Sequence, residues 1–160
     1  MVLEADFLPG CTCANNALEI RMGHTEQAGT AEAHDWHTGR LARRTATVAA
    51  AFFIPYLRPG MRVLDCGCGP GTITMGLADI VTAGEVIGVD PLAHRLDLAR
   101  AAATARGIGR VRFEQGDIHA LPFPDGTFDA ALVHAVMEHI TEPVAALAEV
   151  HRVLKPDGVI

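Results

Sequence analysis

At 160 residues and 49% hydrophobic, the chain is sized for one domain with a sizeable core. Its formal charge of −6 argues against nucleic acid as the main partner, because phosphate binding needs a basic surface. The longest apolar run, "ATVAAAFFIPYL" (46–57), is too short to span a membrane and contains Pro55.

Residues 1–30 show no hydrophobic period and hold Pro9, Gly10, Asn15, Asn16, Gly23 and Gly29, so they are predicted to be an irregular N-terminal segment. The start, "MVLEADFLPG", lacks the basic residues and apolar run of a targeting signal. Residues 31–160 are read as one domain. A helix is predicted over 31–57, with apolar residues spaced three to four apart from Leu41 onward and Pro59-Gly60 as its stop. Strand and helix then alternate. Strands are predicted at 62–67, 84–90, 110–117 and 128–136, and helices at 72–81, 92–107 and 142–154. "KPDG" (155–158) reads as a turn, and the sequence given ends as a fifth strand begins. Alternation of this kind implies right-handed crossovers and an α/β, Rossmann-like, doubly wound parallel sheet with helices on both faces. With the sheet cut off there, an exposed apolar edge is expected, and with it a homodimer or poor solubility.

The cysteines come as Cys11-Thr-Cys13 and Cys66-Gly-Cys68. Residues two apart in extended chain do not face each other, which disfavours a disulfide within either pair, and neither has C-x-x-C spacing. Reduced thiols, a cytoplasmic location and no metal site are expected. Arg40, Arg43, Arg44, Arg58 and Arg62 cluster ahead of the first strand, and a solvated face accounts for them. Trp36 is expected to pack in the core, or else to cover a ligand pocket.

The chemistry concentrates at "VLDCGCGPG" (63–71), where a strand runs through Asp65 into Gly67, Gly69 and Gly71. A strand that turns sharply into a helix needs glycine angles, and the following helix aims free N–H groups at whatever lies there. Such a turn can also be a turn and nothing more. A dinucleotide fingerprint, G-x-G-x-x-G, fails in both registers, because its third glycine falls on Thr72 or Thr74. S-adenosylmethionine has no pyrophosphate and carries a sulfonium and an ammonium, so an acid such as Asp65 suits it. Asp90 ends the second strand and can accept both ribose hydroxyls, or can simply cap the helix beyond Pro91. Asp117 ends the third strand, where its carboxylate and the main chain of Ile118 can take an adenine edge.

Taken in order, "VLDCGCGPG", "VIGVD", "GDIHALPFPDGTFDAALVHAVMEHI" and "AALAEVHRVLKPDG" resemble the class I S-adenosylmethionine-dependent methyltransferases, in particular the ubiquinone and menaquinone C-methyltransferase group. The resemblance covers roughly residues 56–160. It implies that 31–160 bind S-adenosylmethionine through Asp65, Gly67, Cys68, Gly69, Gly71, Asp90, Pro91, Gly116, Asp117, Ile118 and His134. His134 would lie near the sulfonium as the catalytic candidate, with a small molecule as methyl acceptor. His139 is expected to pack or cap, Glu138 to support the loop, and His94, His119 and His151 to be ordinary surface or packing residues. The alternatives are a non-catalytic fragment that holds the cofactor and completes its sheet by oligomerisation, and an NAD-dependent oxidoreductase.

Overall fold

The computed structural model describes residue 39 and residues 41–160. The irregular N-terminal segment, Trp36, Cys11, Cys13 and Arg40 lie outside the described residues. The strands are β1 (Arg62–Cys66), β2 (Glu85–Asp90), β3 (Val111–Gln115), β4 (Phe128–Val133) and β5 (Leu154–Val159). The α-helices are α1 (Ala46–Ala49), α2 (Thr72–Ile80), α3 (Ala93–Ala105) and α4 (Pro143–Val153).

All strand pairings are parallel, in the order β3-β2-β1-β4-β5. The chain winds outward from β1 to β3, then crosses back to lay β4 on the other side of β1. This reversal places a crevice at the carboxyl ends of β1 and β4, where an open α/β sheet holds its ligand. A parallel sheet must be covered on both faces, so its central strands read as apolar runs. Alternation sorts them. Val63, Val86, Ala130 and Leu132 pack with Ile73, Leu77 and Ala78 of α2 and with α1. Leu64, Ile87, Val89 and Ala131 face the other way, onto Val150 and Val153 of α4. Leu96, Ala99 and Ala103, at helical spacing on α3, close over Phe113 and Met75.

Three expectations are corrected here. The helix predicted over 31–57 is, within the described residues, broken: Gly39 and Leu41 are helical, and after a turn come only the short α1 and a 3-10 turn at Ile54–Tyr56. Extended Thr45 starts α1, and Ala50 (φ −116°, ψ 21°) leaves helical geometry. Pro55, with no N–H to continue a ladder, falls within the 3-10 turn. Strand β4 stops at Val133 rather than at 136, because Ala135 takes φ 56° and turns the chain away. Finally, β5 begins directly after α4. It pairs Leu154 with Phe128 and then Val159 with Ala130, so Lys155–Gly158 bows out of the ladder. The "KPDG" turn thus survives as a bulge inside the strand. Lys155, Pro156 and Asp157 are exposed on this strand.

At the start of β4, Phe128 is fully buried with Val150 and Val153 of α4, meets Phe123 edge-on with centroids 5.0 Å apart, and lies under the Arg62 guanidinium. Replacing Phe128 with Ala is expected to cost about 3–5 kcal/mol in a denaturant unfolding experiment. A loss below about 1 kcal/mol would contradict the packing described.

Candidate functional site

The glycine loop between β1 and α2 is held from two sides. The Gly67 and Cys68 N–H groups both donate to the Val89 carbonyl at the end of β2 (2.7 and 3.0 Å). The Gly69 N–H donates to Asp90 Oδ2 (2.9 Å), while Asp90 Oδ1 accepts from the Leu92 N–H (3.0 Å). Asp90 therefore holds both the loop on the neighbouring strand and the turn leading into α3, whose N-cap is Leu92 and not Asp90. Gly67 and Gly71 have φ of +71° and +75°. At Gly67 a Cβ would collide with Val136, in the segment after β4. At Gly71 it would lie 2.7 Å from the Phe113 ring and 2.8 Å from Ala99. Gly69 differs, since a Cβ there would meet nothing nearer than Leu41 at 3.7 Å.

Around this loop lie two connected lobes of one cleft, sharing Gly67, Arg95, Ala135 and His139. The larger, about 530 Å³, is lined by Asp65, Gly67, Cys68, Gly69, His134 and the Leu41–Arg44 segment, among others. The smaller, about 340 Å³, is lined by Asp90, Pro91, Gly116, Asp117, Ile118 and His119, among others. Both volumes suit a small molecule. Every residue the sequence singled out for a ligand lines one lobe or the other, except Gly71. That glycine is turned into the core, where α3 and β3 need its missing side chain.

Asp65 is 3% exposed and faces α2, where the Thr74 hydroxyl donates to its Oδ2 (2.6 Å). Burial pushes its carboxyl up to about 7; the Thr74 hydrogen bond opposes this, and the charge of Asp90 adds to it. Asp117 is the contrasting carboxylate. It lies two residues past β3 and is mostly exposed, and the backbone N–H and ring of His119 hold its pKa below the usual range. Beside Asp65, the Cys66 and Cys68 thiols are pushed up, mainly by burial and then by the Asp65 charge. His134 lies just past β4 in the larger lobe, and its buried Nδ1 has no hydrogen-bond partner. Glu138 and His139, an exposed pair 3.9 Å apart, stand at the edge of the larger lobe.

Several cleft residues had no strong signal in the sequence. His119, read as an ordinary surface or packing residue, orients Asp117. Arg95, on α3, reaches both lobes, with Nη1 4.0 Å from Asp90 and a buried, unpartnered Nε. Thr74 could have been found as a hydroxyl on the buried face of its helix. Of the described arginines of that cluster, Arg58 donates to the Pro55 and Leu57 carbonyls, Arg62 pairs with Glu85, Arg43 is exposed, and Arg44 lines the cleft.

A methyltransferase-domain family matches residues 63–158, from β1 into β5. The chain belongs to the class I S-adenosylmethionine-dependent methyltransferases. It is 42% identical over 136 residues to an uncharacterized methyltransferase of Schizosaccharomyces pombe, a match covering 81% of this chain and 46% of that one. It is 40% identical over 97 residues to the demethylmenaquinone methyltransferase of Thermus thermophilus, covering 61% of this chain and 44% of the relative. Among solved structures, the YcgJ protein of Bacillus subtilis superposes with a TM-score of 0.65 at 36% identity, covering 69% of this chain and 47% of that one. The chain thus spans less than half the length of these relatives. No group of three or more His, Cys, Asp or Glu side chains among the described residues is arranged to hold a metal ion.

A raised carboxyl makes the folded state hold a proton that the unfolded chain has released. Its stabilisation is full below the ordinary aspartate range and is lost as pH rises through about 7. The ligand-free protein is therefore expected to lose up to about 1.4 kcal/mol of stability per pH unit between roughly pH 4 and 7 from this group. In Asp65→Asn that part of the slope should vanish. Parallel stability–pH curves for the two proteins would refute the assignment.

Proposed function

We propose that this methyltransferase domain transfers a methyl group from S-adenosylmethionine to a small-molecule acceptor by direct displacement at the methyl carbon. The observation that carries the proposal is the pair of buried carboxylates, Asp65 and Asp90, at the ends of adjacent strands, one in each lobe of a single cleft around the open face of Gly69. The donor set fits the cofactor. A carboxylate that burial keeps at the edge of ionisation is a ready partner for the ammonium of the methionine end. Asp90 suits the ribose hydroxyls, and Asp117 with the main chain of Ile118 suits the adenine, with Pro91 and Gly116 beside them. The backbone of Gly67, Cys68 and Gly69 borders the methionine lobe.

When bound, the cofactor supplies an electrophilic methyl group on a positively charged sulfur. The chain's own part is chiefly alignment, by holding donor and acceptor in line within one cleft. His134 has a buried ring nitrogen with no protein partner in the larger lobe, which suits it to orient an acceptor or to take a proton from an acceptor that must lose one. The alternative, a cofactor-holding domain that does not catalyse, predicts binding without transfer.

Binding a cation next to Asp65 favours its ionised form. Affinity for S-adenosylmethionine should therefore fall by up to tenfold per pH unit below about 7 and level off above it. Titration calorimetry across pH 5.5–8.5 checks this, and Asp65→Asn should bind more weakly with a flat profile. Heat with NAD and none with S-adenosylmethionine would overturn the proposal. Transfer of labelled methyl to a panel of small-molecule acceptors separates the enzyme from the non-catalytic alternative.

A further inference from the structure

The cleft is rich in carboxylates: Asp65, Asp90, Asp117 and Glu138 all line it. The methionine end of the proposed cofactor is a zwitterion, so its own carboxylate must enter this acidic surrounding. Removing a charged carboxylate from water without a partner is costly, and a guanidinium offers it two parallel hydrogen bonds. Two arginines line the cleft. Arg95 is drawn toward Asp90 and reaches both lobes, whereas Arg44 lines only the lobe that holds Asp65.

Arg44 is held there by the backbone. The Thr72 hydroxyl, at the first residue of α2, donates to the Leu41 carbonyl (3.2 Å), and the Arg44 N–H donates to the same carbonyl (3.1 Å). One oxygen thus ties the Leu41–Arg44 turn to the glycine loop. The Arg44 side chain is half-buried, and its guanidinium has no hydrogen-bond or ion-pair partner among the described residues. By contrast, Arg58, Arg62, Arg100, Arg112 and Arg152 all have oxygen partners.

We infer that Arg44 is the carboxylate-binding residue for the amino-acid end of S-adenosylmethionine, opposite Asp65, which takes the ammonium. The inference rests on the cofactor proposed above. It gives the segment ahead of β1 a part in the site: the turn that covers the glycine loop also supplies the positive charge that the strand ends lack.

The test uses the 160-residue chain and two ligands, S-adenosylmethionine and its decarboxylated form, which keeps the ammonium, sulfonium and nucleoside. In calorimetry, Arg44→Ala should weaken S-adenosylmethionine on the order of 10- to 100-fold and the decarboxylated ligand by less than about threefold. Arg44→Lys, which keeps the charge but not the fork, should fall between wild type and Arg44→Ala for the first ligand only. An equal loss for both ligands, or no loss for either, would overturn the assignment while leaving the cofactor proposal standing. Failure of the wild-type chain to bind either ligand would overturn both.

Discussion

The hydrogen bond from the Gly69 N–H to the Asp90 carboxylate is the constraint on which the rest of the site depends. It joins the loop after β1 to the end of β2 and is itself buried, so it forms in the absence of water. The loop can approach β2 that closely because Val89 offers its carbonyl to two successive N–H groups and Gly88 adds no side chain against Cys68. Once the loop is fixed, α2 starts at Thr72, Thr74 falls over Asp65, and the Thr72 hydroxyl is placed to catch the Leu41 carbonyl. The cleft is therefore a consequence of backbone geometry first and of side-chain choice second.

The parallel sheet was legible because buried strands must be apolar on both faces, which made "VIGVD" and "RVLDCG" stand out against helices of period three to four. Asp65 and Asp90 were legible for the complementary reason, since a carboxylate at the end of such a run has no place in a core and needs a partner. What stayed hidden depends on tertiary juxtaposition. Nothing in "GHTEQAGTAEAHDWHTGRLARR" says that one of its arginines will lie beside a loop some 25 residues on. Arg95 and His119, by contrast, pair with carboxylates five and two residues away, through turns whose geometry the residue pattern does not announce. The end of β4 was overestimated because Ala135 adopts a left-handed conformation with no glycine or proline to announce it. Gly71 looked like its neighbours in sequence, yet its orientation belongs to the core, and only the packing of Phe113 and Ala99 distinguishes it.

Family membership and the local chemistry address different questions. The matched region, from β1 into β5, contains the glycine loop and the strand-end carboxylates, the parts proposed above to hold the methyl donor. Folds of this class host many functions on one scaffold, so what distinguishes this domain has to be read from what covers the cleft. In the described residues, that cover consists of the Leu41–Arg44 turn on one side and the segment from His134 to His139 on the other.

Cys68 acquires a meaning beyond packing in this setting. Sulfur is the most readily alkylated atom among common side chains, and this thiol borders the same lobe as the methionine-binding candidates. A thiolate there would compete with any acceptor for an electrophilic methyl group. Burial and the two neighbouring aspartates keep the proton on sulfur, and the thiol donates to the Gly69 carbonyl. Burial first, and the neighbouring carboxylates after it, thus keep this thiol a poor nucleophile within the cleft.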